Sequence, residues 1–347
     1  MVCFEEELDI FGNGKPKKEY DGWRHFRTER RLSVKRAFSR RDLLKATATA
    51  GVASVLPGRF SSVLAKDALR ERLSIDSGES RIVDVHVHFD DKNSSFVDDL
   101  LKVCKRLNMT ACVLTPYANR NVIADAAKQY PAQIIPIGFV ELDAKGAAQQ
   151  VKELRQLGYR GLGELEFVKR PYTDPAYTPV YELANEYGWL VLFHTGIVLR
   201  RKIDEPEDVA SYRMRALYLE EIARRFPKLT VVGAHCGNPE YEWAAEVTRW
   251  NPNVFFDLSG STLFKMRDRL SDFRNIFWWS DGGWGLKSAD SDSSAYSKLV
   301  FGSDTGLDQI ENVVAQYHAL FKACDVPTET QRLIMGGTLS KAFNITS

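Results

Sequence analysis

The sequence predicts an α/β protein built as a (β/α)₈ TIM barrel, with an N-terminal signal or leader extension in front of it. From residue 81 onward, short apolar and β-branched runs alternate with longer amphipathic stretches. Polar residues gather where those runs end, and the carboxyl ends of barrel strands form the face that carries the chemistry. The 347 residues leave room for one barrel of roughly 250 residues plus an extension. We therefore divide the chain into a leader over 1–80 and a barrel over 81–347.

Eight runs are predicted to be strands because each is short, apolar and rich in β-branched residues. Crossover-length segments separate the runs, which predicts parallel pairing, and the near-continuous apolar character predicts burial on both faces. No GxGxxG pattern follows the first run, so a dinucleotide-binding sheet is not indicated. The predicted strands are Ile82–His88, Thr110–Thr115, Ile134–Val140, Gly161–Phe167, Leu190–His194, Leu229–His235, Val254–Leu258 and Leu299–Asp304. The predicted helices are Phe96–Leu107, Ala147–Leu157, Val180–Tyr187, Met214–Phe226, Pro239–Trp250 and Asp308–Cys324.

The leader is strongly basic, since residues 15–45 carry twelve Lys/Arg against four Asp/Glu. Within it, Ser39–Lys45 resembles the twin-arginine export motif through its paired arginines. The mildly apolar stretch Ala46–Leu56 follows and is about as long as a signal-peptide core, with small residues near Ala65 as a cleavage site. This resemblance implies an exported or periplasmic protein. The alternative is an ordinary basic amphipathic helix on a cytoplasmic protein.

Composition excludes several classes of partner. A net charge of +1 over the whole chain gives no case for nucleic acid or for a membrane surface. Ala46–Leu56 is too short to cross a bilayer as a helix, so no stable membrane span is expected. The five cysteines are odd in number and form no CxxC pair, so neither a disulfide framework nor a thiolate zinc site is indicated. A small-molecule substrate is the expected partner, and a homo-oligomer stays open.

Metal-binding side chains end four of the predicted strands. His86 and His88 end the first strand two residues apart, so both face the same side, about 7 Å apart along the chain. His194 ends the fifth strand, His235 the sixth and Asp304 the eighth. Four of the six histidines in the chain occupy these positions. The pattern predicts a divalent metal bound by His86, His88, His194 and Asp304 at the carboxyl rim of the barrel.

This HxH pair followed by His, His and Asp resembles the amidohydrolase superfamily. The contexts Phe-His-Thr-Gly around His194, Gly-Ala-His-Cys-Gly around His235 and Phe-Gly-Ser-Asp before Asp304 are similar to the amidohydrolase-related, or amidohydrolase-2, branch over residues 81–347. The resemblance implies a metal-dependent hydrolase that cleaves an amide, ester or lactone with a metal-activated water. It assigns Asp304 as a metal ligand and general acid–base. It also implies that His235 polarises the scissile carbonyl or binds the oxyanion, as the second catalytic residue.

The fourth predicted strand contains two candidate acids. Its Gly163-Glu164 step resembles the strand-four glutamate of TatD-like nucleases and phosphotriesterase-like lactonases. Glu164 and Glu166 share one face of the strand, and we favour Glu164 as a metal ligand or as a support for one. The alternative is that one of them pairs with a neighbouring cation for structural reasons. The number of bound ions, one or two, depends on this residue.

Imidazole and carboxylate ligands favour zinc, and they also suit manganese, iron or cobalt. Two other functions stay open beside hydrolysis. One is non-oxidative decarboxylation of an aromatic acid, which the resemblance also implies; the other is a non-catalytic metal- or ligand-binding protein. A glutamate bridging two metals would favour hydrolysis, because the resemblance implies a single metal for the decarboxylases.

Two loops are expected to shape the pocket. Arg200–Lys202 and Arg213 follow the fifth strand and predict an anionic substrate, although a basic loop facing water is the alternative. The long segment after the seventh strand contains the aromatic and glycine-rich stretch Phe277–Gly285. Long loops in compact domains are usually functional or disordered, so this segment is a candidate lid over the metal.

Overall fold

Seven parallel strands follow one another in sequence order through a single curled sheet. The structure, a computed structural model, describes residues 81–199, 210–277 and 296–345. Every pair of neighbouring strands is parallel, as the crossover spacing predicts. The strands are β1 (Ile82–His88), β2 (Met109–Pro116), β3 (Ile134–Phe139), β4 (Gly161–Leu165), β5 (Leu190–Phe193), β6 (Thr230–Gly233) and β7 (Val254–Phe256).

The eighth predicted strand lies in the expected place but is not a regular strand. Residues 298–304 run between β7 and β1, since the amide of Val300 donates to Phe256 and the amide of Val85 donates to the carbonyl of Phe301. The next three amide donors leave the ladder, and that of Asp304 returns to β1 at the carbonyl of His86. Phe301 N–H donates to Ile334, Gly302 N–H to the hydroxyl of Tyr317, and Ser303 N–H to the carboxylate of Asp84. The segment therefore joins both edges of the sheet without repeating a strand's hydrogen bonds.

Helices cover the outside of the sheet, each with its apolar stripe turned inward. The first shows the pattern, because its buried residues Phe96, Leu100, Val103 and Cys104 recur at helical spacing. The helices are α1 (Phe96–Leu107), α2 (Arg120–Gln129), α3 (Ala147–Gln156), α4 (Thr178–Glu186), α5 (Tyr218–Arg225), α6 (Tyr241–Trp250), α7 (Thr262–Met266), α8 (Phe273–Ile276), α9 (Ile310–Ala323), α10 (Thr328–Arg332) and α11 (Thr338–Phe343). Short 3₁₀ turns occur at Tyr117–Asn119, Pro175–Tyr177, Ser211–Met214, Ala234–Gly237 and Leu270–Asp272, and a π turn at Leu333–Gly337.

The interior of the sheet has its own apolar core, separate from the layer beneath the helices. Side chains from β1, β2, β3, β5 and β6 form it, and Leu339 and Phe343 of α11 join them. The guanidinium of Arg160, just before β4, donates to the carbonyl of Phe343 and lies over its ring. Residues before a parallel strand mark its amino end, so α11 closes the end of the sheet opposite the predicted site.

Several sequence predictions need correction here. Met214–Phe226 is not one helix, because a 3₁₀ turn ends at Met214 and α5 begins only at Tyr218. The helix Arg120–Gln129 was not predicted. Predicted strands four to seven extend beyond the regular strands by up to two residues at their carboxyl ends, where the chain turns to place polar side chains.

Other predictions concern the cysteines and the leader. Cys104, Cys112, Cys236 and Cys324 are buried and free. None of the helices within 81–199, 210–277 and 296–345 has the length and apolar character needed to span a bilayer. The predicted leader over 1–80, with the segment that resembles a twin-arginine motif, lies outside the described residues.

Candidate metal centre

Four ligand atoms meet at the carboxyl ends of β1 and β4 and at the end of the eighth segment. His86 Nε2 lies 3.1 Å from His88 Nε2 and 3.2 Å from Glu164 Oε2. His88 Nε2 is 3.4 Å from the same Glu164 oxygen. Asp304 Oδ1 is 3.6 Å from His86 Nε2 and 3.5 Å from His88 Nε2. A tetrahedral zinc site with ligands at about 2.1 Å has ligand atoms about 3.4 Å apart, so the spacing fits a metal ion.

The second oxygen of Glu164 faces a second pair of histidines. Glu164 Oε1 lies 2.9 Å from His194 Nδ1 and 3.4 Å from His235 Nε2. Two groups with metal-ligand spacing therefore share one glutamate, and its two oxygens face opposite groups. Within the described residues, the structure brings together all six predicted site residues. It places His194 beside His235, however, on the other side of Glu164 from the HxH pair.

A buried aspartate sets the position of His86 on β1. Asp84 Oδ1 accepts hydrogen bonds from the amides of His86 and Ser303, both at 3.0 Å. The register of β1 with β2 shifts between Asp84 and Val87 at the same point. The His86 side chain is 0% exposed and that of His88 is 46% exposed. The two rings thus share one side, as predicted, but one is buried and the other opens to solvent.

The charged side chains of the cluster shift one another's pKa values. Burial opposes ionisation of Glu164, yet His86 and the hydrogen bonds from the histidines hold the pKa of Glu164 well below its usual range. Burial alone would lower the pKa of His86, but Glu164, Asp304 and Asp257 raise it well above the usual histidine value. The pKa of His235 is raised in the same way, burial opposing and Glu164 and Asp257 prevailing. Acids and bases at such spacing stabilise their own charged forms.

Asp257 and Ser259, at the end of β7, are functional residues that the sequence analysis missed. Asp257 Oδ2 lies 2.9 Å from His86 Nδ1, and Oδ1 accepts from the amide of His235 at 2.8 Å. Ser259 Oγ lies 2.6 Å from Asp257 Oδ1 and 3.0 Å from His235 Nδ1. The signal that could have found them is their position, since they end the seventh predicted strand just as the other site residues end theirs.

The backbone around the site turns where strand periodicity would continue. His235 has φ 61° and Asp304 has φ 46°, both in the left-handed region that non-glycine residues seldom occupy. Such conformations cluster at functional sites. Gly260 (φ +62°) fits into the same corner, where an added Cβ would lie 2.8 Å from His235 Nδ1 and 3.2 Å from Asp304 Oδ2. These turns place the two side chains over Glu164.

A cavity of about 850 Å³ opens beside His88 and Asp304. Its remaining walls come from the segment after β1, from α1 and from the segment after Asp304, and include Phe89, Asp90, Asn93, Phe96, Asp99, Lys102, Arg106 and Asp308. Arg213, predicted to bind an anionic substrate, directs its guanidinium to the carbonyl of Val168. Arg200–Lys202 and all but Phe277 of the predicted lid lie outside the described residues.

The residues present fit a divalent metal. His194 Nε2 is buried without a hydrogen-bond partner, and the ring turns its other nitrogen toward Glu164. The nitrogen beside the carboxylate is Nδ1, 2.9 Å from Glu164 Oε1, so these two atoms are close enough to share one cation with His235. The donor set is imidazole and carboxylate, which suits zinc and several other divalent ions. A His/Glu metal-site candidate is thus built into the rim of the sheet.

Solved structures share this fold at low sequence identity. An uncharacterized TIM-barrel protein from Bordetella bronchiseptica is 15% identical, with a TM-score of 0.54 over 76% of this chain and 98% of that one. A 5-carboxyvanillate decarboxylase from Sphingomonas paucimobilis is 13% identical, with a TM-score of 0.53 over 77% of this chain and 100% of that one. A "probable 2-pyrone-4,6-dicarboxylic acid hydrolase" from Acinetobacter baumannii is 16% identical, with a TM-score of 0.51 over 76% of this chain and 100% of that one. These likenesses confirm the TIM-barrel fold.

The amino-acid sequence shows to which family the chain belongs. No curated protein matches the chain. The model of a family described as Amidohydrolase matches residues 114–344, which is more than half of the chain, with His86 and His88 before the matched part. The resemblance drawn from the strand-end residues is confirmed: the chain belongs to the amidohydrolase family and is an enzyme of the amidohydrolase superfamily.

Proposed function

We propose that this enzyme is a metal-dependent hydrolase that cleaves a C–N or C–O bond of an amide, ester or lactone. One observation carries the proposal. Glu164, 4% exposed, presents one oxygen to His86 and His88 and the other to His194 and His235. A carboxylate shared in this way is suited to two ions, and paired ions activate water while binding the oxygen of the bond to be cleaved.

The chain's own residues would hold the ions in two groups. His86, His88, Glu164 and Asp304 surround one position, and Glu164, His194 and His235 the other. Zinc is the proposed ion, with manganese, iron or cobalt as alternatives of similar ligand preference. When bound, a divalent metal would lower the pKa of a water to about 7 and polarise a carbonyl oxygen.

Asp304 is the proposed general acid–base. Its carboxylate is 27% exposed, lines the cavity and reaches the two histidines of β1, so it can contact both a ligand position and an incoming substrate. A carboxylate there can accept the proton of the attacking water and deliver it to the leaving group. His235 turns Nε2 toward Glu164, which supports a ligand role as well as the proposed contact with the substrate oxygen.

Two alternative functions, a decarboxylase and a non-catalytic binding protein, account less completely for the shared carboxylate. A decarboxylase of this branch needs only one ion, so it leaves the group around Glu164 Oε1 without a task. The fold is shared with a 5-carboxyvanillate decarboxylase, but at 13% identity this likeness concerns the fold alone. A non-catalytic metal-binding protein would use Asp304 as a ligand, but it leaves the access of this acid to an open cavity without a task. Hydrolysis uses every member of the cluster.

The substrate and the location of the enzyme are proposed from sequence. The basic residues after β5 favour a small anionic substrate, and the twin-arginine-like segment favours export to the periplasm. N-terminal sequencing of the exported protein tests the second point. A chain that still begins near Met1 in the cell would contradict cleavage of a leader.

The function is tested on metal-loaded protein. The metal content is measured by mass spectrometry after loading with Zn²⁺, and the enzyme is then assayed on a panel of amides, esters and lactones and, in parallel, for carbon dioxide release from hydroxybenzoates. We expect two ions per chain and turnover on the first panel only. One ion with carbon dioxide release would replace the proposal by the decarboxylase, and firm metal binding with neither activity would favour the binding protein.

A further inference from the structure

Asp257 contacts two site histidines that come from different strands. Its carboxylate is 0% exposed and ends β7, between β6 and the eighth segment. Oδ2 lies 2.9 Å from Nδ1 of His86, and Oδ1 is bonded to Ser259, whose hydroxyl lies 3.0 Å from Nδ1 of His235. In both histidines the contact is made at Nδ1, on the side of the ring that faces away from Glu164. A single buried group is therefore placed to orient ligands on both sides of the centre.

The hydrogen-bond donors in this network can be counted. An ionised carboxylate only accepts, so Nδ1 of His86 must carry the proton it shares with Asp257. A serine hydroxyl has one proton, and Ser259 directs it to Asp257 Oδ1 at 2.6 Å. The hydroxyl oxygen can then only accept from His235, whose Nδ1 must also carry a proton.

We propose that Asp257 and Ser259 are positioning residues that fix His86 and His235 as Nδ1–H tautomers and direct both Nε2 lone pairs toward Glu164. This inference rests on the proposed metal centre. When both rings are neutral, their Nε2 lone pairs, 3.2 Å and 3.4 Å from Glu164 oxygens, face other acceptors. That arrangement is stable only when a cation lies there, which is how a supporting carboxylate prepares histidines for a metal.

Space for this network is provided by a glycine. A Cβ added to Gly302 would lie 2.6 Å from Asp257 Oδ2, the oxygen that contacts His86. Two amides, those of His235 and Ser259, donate to Asp257 Oδ1 at 2.8 Å and 3.0 Å. The carboxylate is thus held on one oxygen by backbone donors, while the other oxygen remains for His86.

Asparagine at this position makes the proposal testable. In Asp257→Asn the backbone donors keep the amide oxygen on their side, so the amide NH₂ faces His86 Nδ1. The ring must then accept at Nδ1 and carry its proton on Nε2, where it blocks the ligand position. Ser259→Ala removes the acceptor of the His235 proton, together with the hydroxyl donor to Asp257 Oδ1 and a 3.3 Å contact with His86 Nδ1. It leaves the 2.9 Å contact between Asp257 and His86 intact. The two variants therefore have different expected signatures.

The experiment uses the full chain, labelled with ¹⁵N-histidine and loaded with Zn²⁺. Long-range ¹H–¹⁵N spectra report which ring nitrogen carries the proton, and competition with a chromophoric chelator reports Zn²⁺ affinity. We expect Nδ1–H at His86 and His235 in the wild type. Asp257→Asn should move the His86 proton to Nε2, leave His235 as Nδ1–H and weaken Zn²⁺ binding about 10–100-fold. Ser259→Ala should change the His235 signals and leave His86 as Nδ1–H, with thermal unfolding measured to confirm that each variant is folded.

The outcomes separate this inference from the proposed function. A wild-type chain that takes up no Zn²⁺ removes the metal centre itself. A chain that binds Zn²⁺ but shows Nδ1 without a proton on either ring overturns the tautomer assignment. Unchanged His235 signals in Ser259→Ala also overturn it, and this variant decides the matter even if Asp257→Asn does not fold.

Discussion

The backbone amide of Asp304 donates a 2.8 Å hydrogen bond to the carbonyl oxygen of His86. This bond joins the eighth segment to β1 at the rim where the candidate centre lies. The side chains of the same two residues approach to 3.6 Å, measured from Oδ1 to Nε2. The contact that joins the eighth segment to β1 therefore also assembles the centre, because it brings together His86 and Asp304, the first and last site residues.

Replacing Asp304 by asparagine tests the proposed acid–base. Asp304→Asn keeps the shape of the side chain but removes the proton acceptor, so kcat should fall about 10²–10⁴-fold. Because the side chain is partly exposed, the free energy of unfolding should change by less than about 1 kcal/mol. Asp308→Asn, on the same cavity wall, is the matched control and should keep wild-type kcat. Full activity in a metal-loaded Asp304→Asn variant would refute the assignment.

Replacing Glu164 by glutamine tests the shared carboxylate. Glu164→Gln leaves one oxygen and one NH₂, so only one of the two groups retains an acceptor. We expect the metal content, measured by mass spectrometry, to fall from two ions to one, with a loss of most of kcat. Glu166→Gln, two residues farther along, should retain the wild-type metal content. Two ions bound in Glu164→Gln would exclude the bridging role.

Gly260 and Gly188 provide a comparison in which only one glycine adjoins the site. Their φ angles are +62° and +63°, so alanine at either position should cost about 1–2 kcal/mol of stability. An added Cβ meets His235 and Asp304 at Gly260 and nothing within 4 Å at Gly188. Gly260→Ala should therefore lose about 10²-fold in kcat through displaced side chains, and Gly188→Ala should not. Equal kcat values in the two variants would show that the close approach is irrelevant to catalysis.

His318 on α9 should make stability depend on pH. Burial lowers the pKa of His318, whereas the unfolded chain titrates near about 6.5. Between those two values the unfolded state binds more protons, so the free energy of unfolding falls as pH decreases below about 6.5. Urea unfolding at about pH 7.5 and about pH 5.5 should show a larger loss in the wild type than in His318→Gln. An equal loss in both proteins would assign the effect to other groups.

Much of the fold follows from patterns that local physics makes visible. The eight strand positions and the site residues could be predicted because buried parallel strands are apolar runs and because chemistry lies at their carboxyl ends. Glu164 could be favoured but not assigned, since side-chain alternation does not tell which face of a strand is inside. In the structure, Glu164 lies on the inner face, next to His86, whose side chain is 0% exposed.

The remainder depends on tertiary contacts that no local pattern encodes. The left-handed turns at His235 and Asp304 follow from hydrogen bonds to Asp257 and to His86, which are distant in sequence. The eighth segment is irregular because the amides of Phe301, Gly302 and Ser303 bond to a helical turn, a tyrosine and an aspartate rather than to the backbone of a neighbouring strand. The roles of Asp257 and Ser259 become visible only when β7 is placed between β6 and the eighth segment.

The position of α11 has a consequence for the order in which the protein is made. Leu339 and Phe343 fill the core enclosed by strands that leave the ribosome well before them, at about 5–20 residues per second. A nascent chain that ends before α11 therefore contains every proposed ligand but lacks Leu339 and Phe343, which complete the inner core of the barrel. We therefore expect the complete set of ligands to bind metal after the barrel has been synthesised and not during its synthesis.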